Sequence, residues 1–231
     1  PGSDKTGQPA PPQQAGATVM FSVGDVTVKK TDGTTAVLSA NNTVVKDDVI
    51  ITGPDSFVVL QVDETGTFRI NENSVFSLSR IKDSGDTECK LDKGSVYSKL
   101  GKIRKGESCR INSVTYLASV RGTEFLSSYI EGKGEVSVLD GKVLVEAVSK
   151  KFEEKMVESG TGFSITDNEV KTYRLSSRNI LLLKKFSLYD YVQDLKNKSE
   201  SEMKQIFEDI LKKEKEIDAE IKELDKTVPQ I

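Results

Sequence analysis

The chain has no histidine and no tryptophan among its 231 residues. Without histidine, the usual triad base, the commonest metal ligand and the pH switch are all missing. Two cysteines alone cannot fill a four-ligand zinc site, which removes most zinc geometries as well. Charge of one sign is also scarce: 33 Lys/Arg stand against 36 Asp/Glu, a net of −3. Binding to nucleic acid or an anionic membrane draws most of its affinity from a basic surplus, so neither is expected. The most apolar run, Ile180-Leu181-Leu182-Leu183, is far shorter than the roughly 20 residues a bilayer span needs. No Walker-type or dinucleotide-binding glycine pattern occurs, and no cofactor is expected.

What remains is a foldable chain, 36% hydrophobic and 30% charged, long enough for one large or two modest domains. Pro1-Gly2-Ser3 reads as an expression scar, so an export signal, an anchor cysteine or a membrane helix upstream of it stays open. Residues 1–17, with Pro9, Pro11 and Pro12 and almost no large apolar side chain, cannot bury enough to fold. They read as a tether or as a plain disordered terminus.

From residue 18 to about 175 the pattern has period two. Val26 and Val28 alternate with Thr27 and Lys29; Phe68 and Ile70 share a side; Phe76 and Leu78 lie opposite Val75. Val136 and Val138 precede Val143, Val145 and Ala147. Such alternation suits strands with one buried face. Turn residues punctuate it at Thr31-Asp32-Gly33, Ser84-Gly85-Asp86, Asp92-Lys93-Gly94, Gly132-Lys133-Gly134 and Asp140-Gly141. Asp140-Gly141, between two valine-rich runs, predicts a hairpin, since both central positions of that turn favour positive φ. The expected fold is mainly β, with many short strands in a sandwich or a solenoid-like stack of hairpins.

Residues 176–231 change texture. Ser187, with Asp190 three positions on and Phe186 before it, predicts a helix start, and Leu188, Tyr191, Val192 and Leu195 fall on one helical face. Ser199 and Glu202 repeat the capping pattern. Met203, Ile206, Phe207, Ile210, Ile217, Ile221 and Leu224 then step by threes and fours, with one gap at Lys213 or Glu214. Two readings follow: a C-terminal α-helical hairpin lying on the β domain, or a coiled-coil arm for self-association.

The candidate chemistry is thin. Cys89 and Cys109 sit in neighbouring predicted strands and suit either a disulfide or two buried thiols. A nucleophilic cysteine has no histidine to serve it. The acidic pairs Asp47-Asp48, Asp63-Glu64 and Asp83/Asp86 all lie in turns or at strand edges, where acids solvate the chain and form Asx-turns. The stretch Val120 to Phe125, "VRGTEF", breaks the strand pattern. Gly122 suggests a bulge or a close backbone approach. Arg121 offers five donors to exposed carbonyls or a carboxylate. Thr123 suits β structure, and Phe125 resumes the core. The segment is either a structural corner or a ligand-contacting edge, with Glu124 part of the same unit.

"VRGTEF" followed by "GEVSVLDGKVLV" resembles the FecR-type domain. "GDVTV" (Gly24 to Val28) is similar to that family's opening strand, and "LDKGSV" (Leu91 to Val96) to its Leu-x-x-Gly-x-Val step. Asp48, Val49, Ile50, Thr52, Gly53 and Ser56 resemble its acidic, apolar, Thr-Gly and Ser positions. The resemblance implies an extracytoplasmic, β-rich, non-enzymatic module. The namesakes are envelope sensors of ferric-siderophore transport that signal through one membrane helix to a sigma factor. Among residues 1–231 the part beyond the β domain reads as amphipathic helix and not as that membrane helix. The form expected is a bacterial envelope protein of the periplasm or outer-membrane surface, a lipoprotein held through its proline-rich leader. Its partner would be an envelope protein or the cell wall, met by strand addition or at the helical face. A peptidoglycan- or glycan-binding protein is the alternative.

Overall fold

The computed structural model describes residues 16–62, 66–81, 86–101, 108–149, 152–167, 169–188 and 199–227. Most of the expected tether, the pair Asp63-Glu64, Asp83, and the helical face at Tyr191, Val192 and Leu195 lie outside them. The strands are β1 (Gly16–Val23), β2 (Val26–Lys29), β3 (Thr35–Val37), β4 (Thr43–Val45), β5 (Val49–Thr52), β6 (Phe57–Val62), β7 (Gly66–Ile70), β8 (Val75–Ile81) and β9 (Thr87–Leu100). They continue as β10 (Cys109–Ser113), β11 (Tyr116–Val120), β12 (Glu124–Ile130), β13 (Lys133–Asp140), β14 (Lys142–Ala147), β15 (Lys155–Glu158), β16 (Thr161–Ile165) and β17 (Val170–Arg174). Two helices follow, α1 (Ser177–Ser187) and α2 (Glu200–Thr227). The protein is therefore mainly β with a helical C-terminal part.

The strands form two ladders that share β9. One runs β4-β1-β6-β7-β9-β12-β13-β16-β17. The other runs β3-β2-β5-β8-β9-β10-β11-β14-β15. The first half of β9 pairs with β8 and β10 in the second ladder, and Gly94 to Leu100 pair with β7 and β12 in the first. Gly94 makes the switch at φ +86°, where an added Cβ would meet the Ser74 Cα at 2.6 Å. Only glycine fits both that angle and that approach.

The inward side chains of both ladders share one core, with Phe68 of β7 and Phe76 of β8 meeting at 6.1 Å between centroids. The alternation in the sequence is the record of this burial. Asp140-Gly141, however, is not a hairpin: β13 pairs with β12 and β16, while β14 pairs with β11 and β15. Gly141 has the expected positive φ of 88°, but it carries the chain from one ladder to the other. The two-residue turn with both φ positive is Glu131-Gly132, closing β12 onto β13. Thr31-Asp32-Gly33 also closes a true hairpin, with Lys30 N donating to Thr34 O at 2.8 Å.

Both helices lie on the outer face of the first ladder. Phe207 stacks on Phe21 at 5.2 Å, Ile210 packs with Met20 and Val59, and Leu183 packs with Tyr97 and Leu175. α1 begins at Ser177, capped by Ser176, whose Oγ accepts from Asn179 N at 3.2 Å. Ser187, expected to open a helix, ends one instead; its hydroxyl donates to Lys184 O at 2.8 Å. The Ser199/Glu202 box forms as expected, with Ser199 N donating to Glu202 Oε2 at 2.8 Å. Arg178 pairs with Asp225 and Lys185 with Asp218, so the two helices run side by side in opposite senses.

Candidate functional site

"VRGTEF" is the crossing from β11 in the second ladder to β12 in the first. Val120 and Phe125 anchor it in the core. Gly122 turns the chain at φ +65°. Thr123 is the stitch: its Oγ1 donates to Lys142 O at 3.0 Å, and its carbonyl accepts from Leu100 N at 3.1 Å. Glu124 lies on the helix-covered face, accepting the Tyr97 hydroxyl, with Lys99 Nζ 3.9 Å from its Oε2. Arg121 does no stitching. It stands exposed on the opposite face of the molecule.

The other residues of the pattern are also spent on corners. Asp48 is fully buried before β5; its Oδ2 accepts from Lys30 Nζ at 2.6 Å and from Val45 N at 3.0 Å. Asp47 beside it is solvent-facing, so this acidic pair does not converge. Thr52 Oγ1 donates to Asn71 O at 2.6 Å and accepts from Ser74 N at 2.9 Å. Ser56 Oγ accepts from Asp25 N at 2.8 Å, and a Cβ on Gly24 would come within 2.3 Å of that oxygen.

No described helix lies over the outer face of the second ladder. Register sets Arg80 opposite Glu88, Glu88 opposite Arg110, and Arg110 opposite Ser119. With Asp86, Ser108 and Arg121 they line an open cleft of about 250 Å³. Its carboxylates are already engaged. Glu88 Oε2 lies 3.7 Å from Arg80 NH2, and its Oε1 accepts from Asn112 Nδ2 at 2.6 Å. Asp86 Oδ1 accepts from both the N and the Oγ of Ser108 at 3.1 Å. Among the described residues neither Arg110 nor Arg121 has an ion-pair partner. Sequence reasoning found Arg121 but missed Arg80 and Arg110. Their outward positions are readable from the alternation, but their meeting depends on a register between distant strands.

Directly beneath, on the core side of the same strands, Cys89 and Cys109 are free and fully buried. Of the two readings, the buried thiols are what the structure holds. Cys109 stands opposite Thr87 and Cys89 opposite Ile111, a two-residue offset. Strand spacing and rise put such a diagonal pair about 8 Å apart at Cα, beyond the usual bridging range of about 4.4–6.8 Å. Burial pushes the Cys89 thiol well up, and its hydrogen bond to Cys109 adds to this.

On α2, Ile206 and Ile210 face the first ladder, while Ile217, Ile221 and Leu224 are half-buried. Leu224 and Leu181 line a groove between the helices. The side chain of Met203 lies outside the described residues. The gap in the apolar spacing is filled by Glu214, buried against Arg69.

Residues 48–144 match the family model described as FecR protein. The described strands extend past it on both sides, from residue 16 to residue 174. Two crystal structures of a candidate anti-sigma factor from Parabacteroides distasonis ATCC 8503 are similar in fold, each with a TM-score of 0.51 at 12% identity. Each comparison covers 61% of this chain and 63% of that one, less than two thirds of its length. No curated protein matches the chain by sequence. No described helix is long and apolar enough to cross a membrane.

Proposed function

We propose that the chain is a non-enzymatic, extracytoplasmic binding module of the bacterial cell envelope that acts through protein–protein contacts. Residues 18–175 form its FecR-like β domain, and residues 176–231 a second region whose described helices, α1 and α2, pack on one face of it. The observation that carries this reading is the contrast between the two faces. The described helices cover the first ladder, whereas no described helix covers the second, where Arg110 and Arg121 have no ion-pair partner among the described residues. Unpaired arginines on rigid strands are characteristic of recognition surfaces. The anti-sigma description of the similar structures points to signalling as the setting.

A photoreactive amino acid at Ser119, beside Arg110, tests this in the native host. The expected result is a cross-link to another protein in the envelope fraction. Cytoplasmic residence, or sedimentation with purified cell walls without any protein cross-link, overturns it, the latter in favour of a wall-binding role.

A further inference from the structure

We propose that the arginine cleft binds two carboxylates, at positions i and i+2, of an extended acidic segment in a protein partner. This rests on the protein-contact reading above and names its chemistry. Arg110 projects outward from β10. Arg121 follows Val120, which pairs with Cys109, so it stands beside Ser108, diagonal to Arg110 across an antiparallel pair. Diagonal neighbours of this kind are about 7–8 Å apart. Residues i and i+2 of an extended chain point the same way and lie about 6.6 Å apart. The two spacings match, so each guanidinium can take one carboxylate in the bidentate geometry it favours. Two guanidiniums this close repel each other, and paired carboxylates relieve that repulsion.

The rest of the cleft selects against other anions. Among the described residues of the lining, three arginines are offset by Asp86 and Glu88, which leaves a formal charge of only +1 (three minus two) there. The whole chain carries −3. A polyanion needs a basic surplus, which is lacking here, and would meet both carboxylates. Asp86 is held by Ser108 and Glu88 by Asn112, so neither can swing away to make room. Arg80, pinned by Glu88, closes one side.

The test is an NMR titration of the whole chain, reading the arginine side-chain Nε–Hε signals. The probes are the peptide acetyl-Ser-Glu-Val-Glu-Ser-amide, its Gln-for-Glu counterpart and inorganic phosphate. The expected result is saturable shifts at Arg110 and Arg121 with the acidic peptide, weakening as salt rises. Binding should be at least about tenfold weaker for the Gln peptide, for phosphate and for the R110Q/R121Q double variant. The R110K/R121K variant, which keeps the charge but loses the fork, should fall between. Both sites are exposed, and backbone amide spectra confirm that the variants stay folded. Absence of saturation, equal binding by the Gln peptide or by phosphate, or binding undiminished in the double glutamine variant overturns the proposal. A Ser119 cross-link to a protein alongside any of these outcomes leaves protein contact standing and removes only the acidic-segment chemistry.

Discussion

Arg69 on β7 and Glu214 on α2 meet 3.1 Å apart, with side chains only 7% and 10% exposed. The guanidinium also lies 4.2 Å from the Phe57 ring centroid and 4.5 Å from that of Phe186. One arginine thereby ties the first ladder to both helices. Removing one partner of a buried pair strands the other charge, at a cost of about 3–5 kcal/mol. Glu214→Ala should lose stability on that scale in urea denaturation. The double variant R69M/E214L should lose clearly less than the two single losses summed, because no charge is left behind. An additive double variant would mean that the pair is not coupled.

Gly94→Ala should be far more damaging than Gly33→Ala. Both glycines have positive φ, near +86° and +88°, but a Cβ at Gly94 would strike the Ser74 backbone, whereas Gly33 has nothing within 4 Å. Strained φ alone costs about 1 kcal/mol, the order expected at Gly33. At Gly94 the clash adds to it, with loss of several kcal/mol or failure to fold, read by thermal melts of the two variants side by side.

Ser199→Ala should cost about 1 kcal/mol. The Ser199 hydroxyl and Glu202 carboxylate cap the start of α2. Amide exchange should speed up in the first turn of α2 and stay unchanged around Glu214. Uniform acceleration along the helix would show that the cap matters globally.

Alkaline pH should destabilise the fold through its buried tyrosines. Burial raises the Tyr116 hydroxyl well above its ordinary range; it lies 3.1 Å from Ser128 O and 3.0 Å from Glu135 O. Burial, then the charge of Glu135, raises Tyr173 too. The folded state thus holds these protons more tightly than the unfolded state. The stability they supply is complete below the unfolded tyrosine pKa of about 10 and falls as pH climbs past it. Denaturation midpoints should drop across that window. In Tyr116→Phe the drop should be shallower, from a lower starting stability.

Cys89 and Cys109 should resist alkylation in the folded protein. Both are sealed in the core, and the raised Cys89 thiol yields little thiolate. Iodoacetamide should label them at the rate of global unfolding, and fast labelling of either would place it nearer the surface.

Much of this was legible in the sequence because it is local. Val26/Val28 and Phe76/Leu78 alternate because each strand has one buried side, and Ser199 with Glu202 is a complete cap within four residues. The misreadings occur where one local signal serves two tertiary uses. Gly141 has the φ of a hairpin glycine, but its flanking strands belong to different ladders, and nothing nearby encodes that. Ser187 carries the marks of a cap, yet Ser176 was the one used. The break in the α2 stripe at Glu214 was visible, but its meaning depended on Arg69, 145 residues away. Arg121 was noticed for its place in a motif. Its neighbours Arg80 and Arg110 were not, because pairing across β8, β9 and β10 is a property of the assembled fold.

A strand that belongs to both layers forbids one kind of movement. β9 is laced to β8 and β10 at one end and to β7 and β12 at the other, so the layers cannot open like the covers of a book without tearing those lacings. A tug applied at the arginine side therefore reaches the helices as displacement of a stiff block, and whatever responds on the far side must sense position or orientation rather than a change of internal shape.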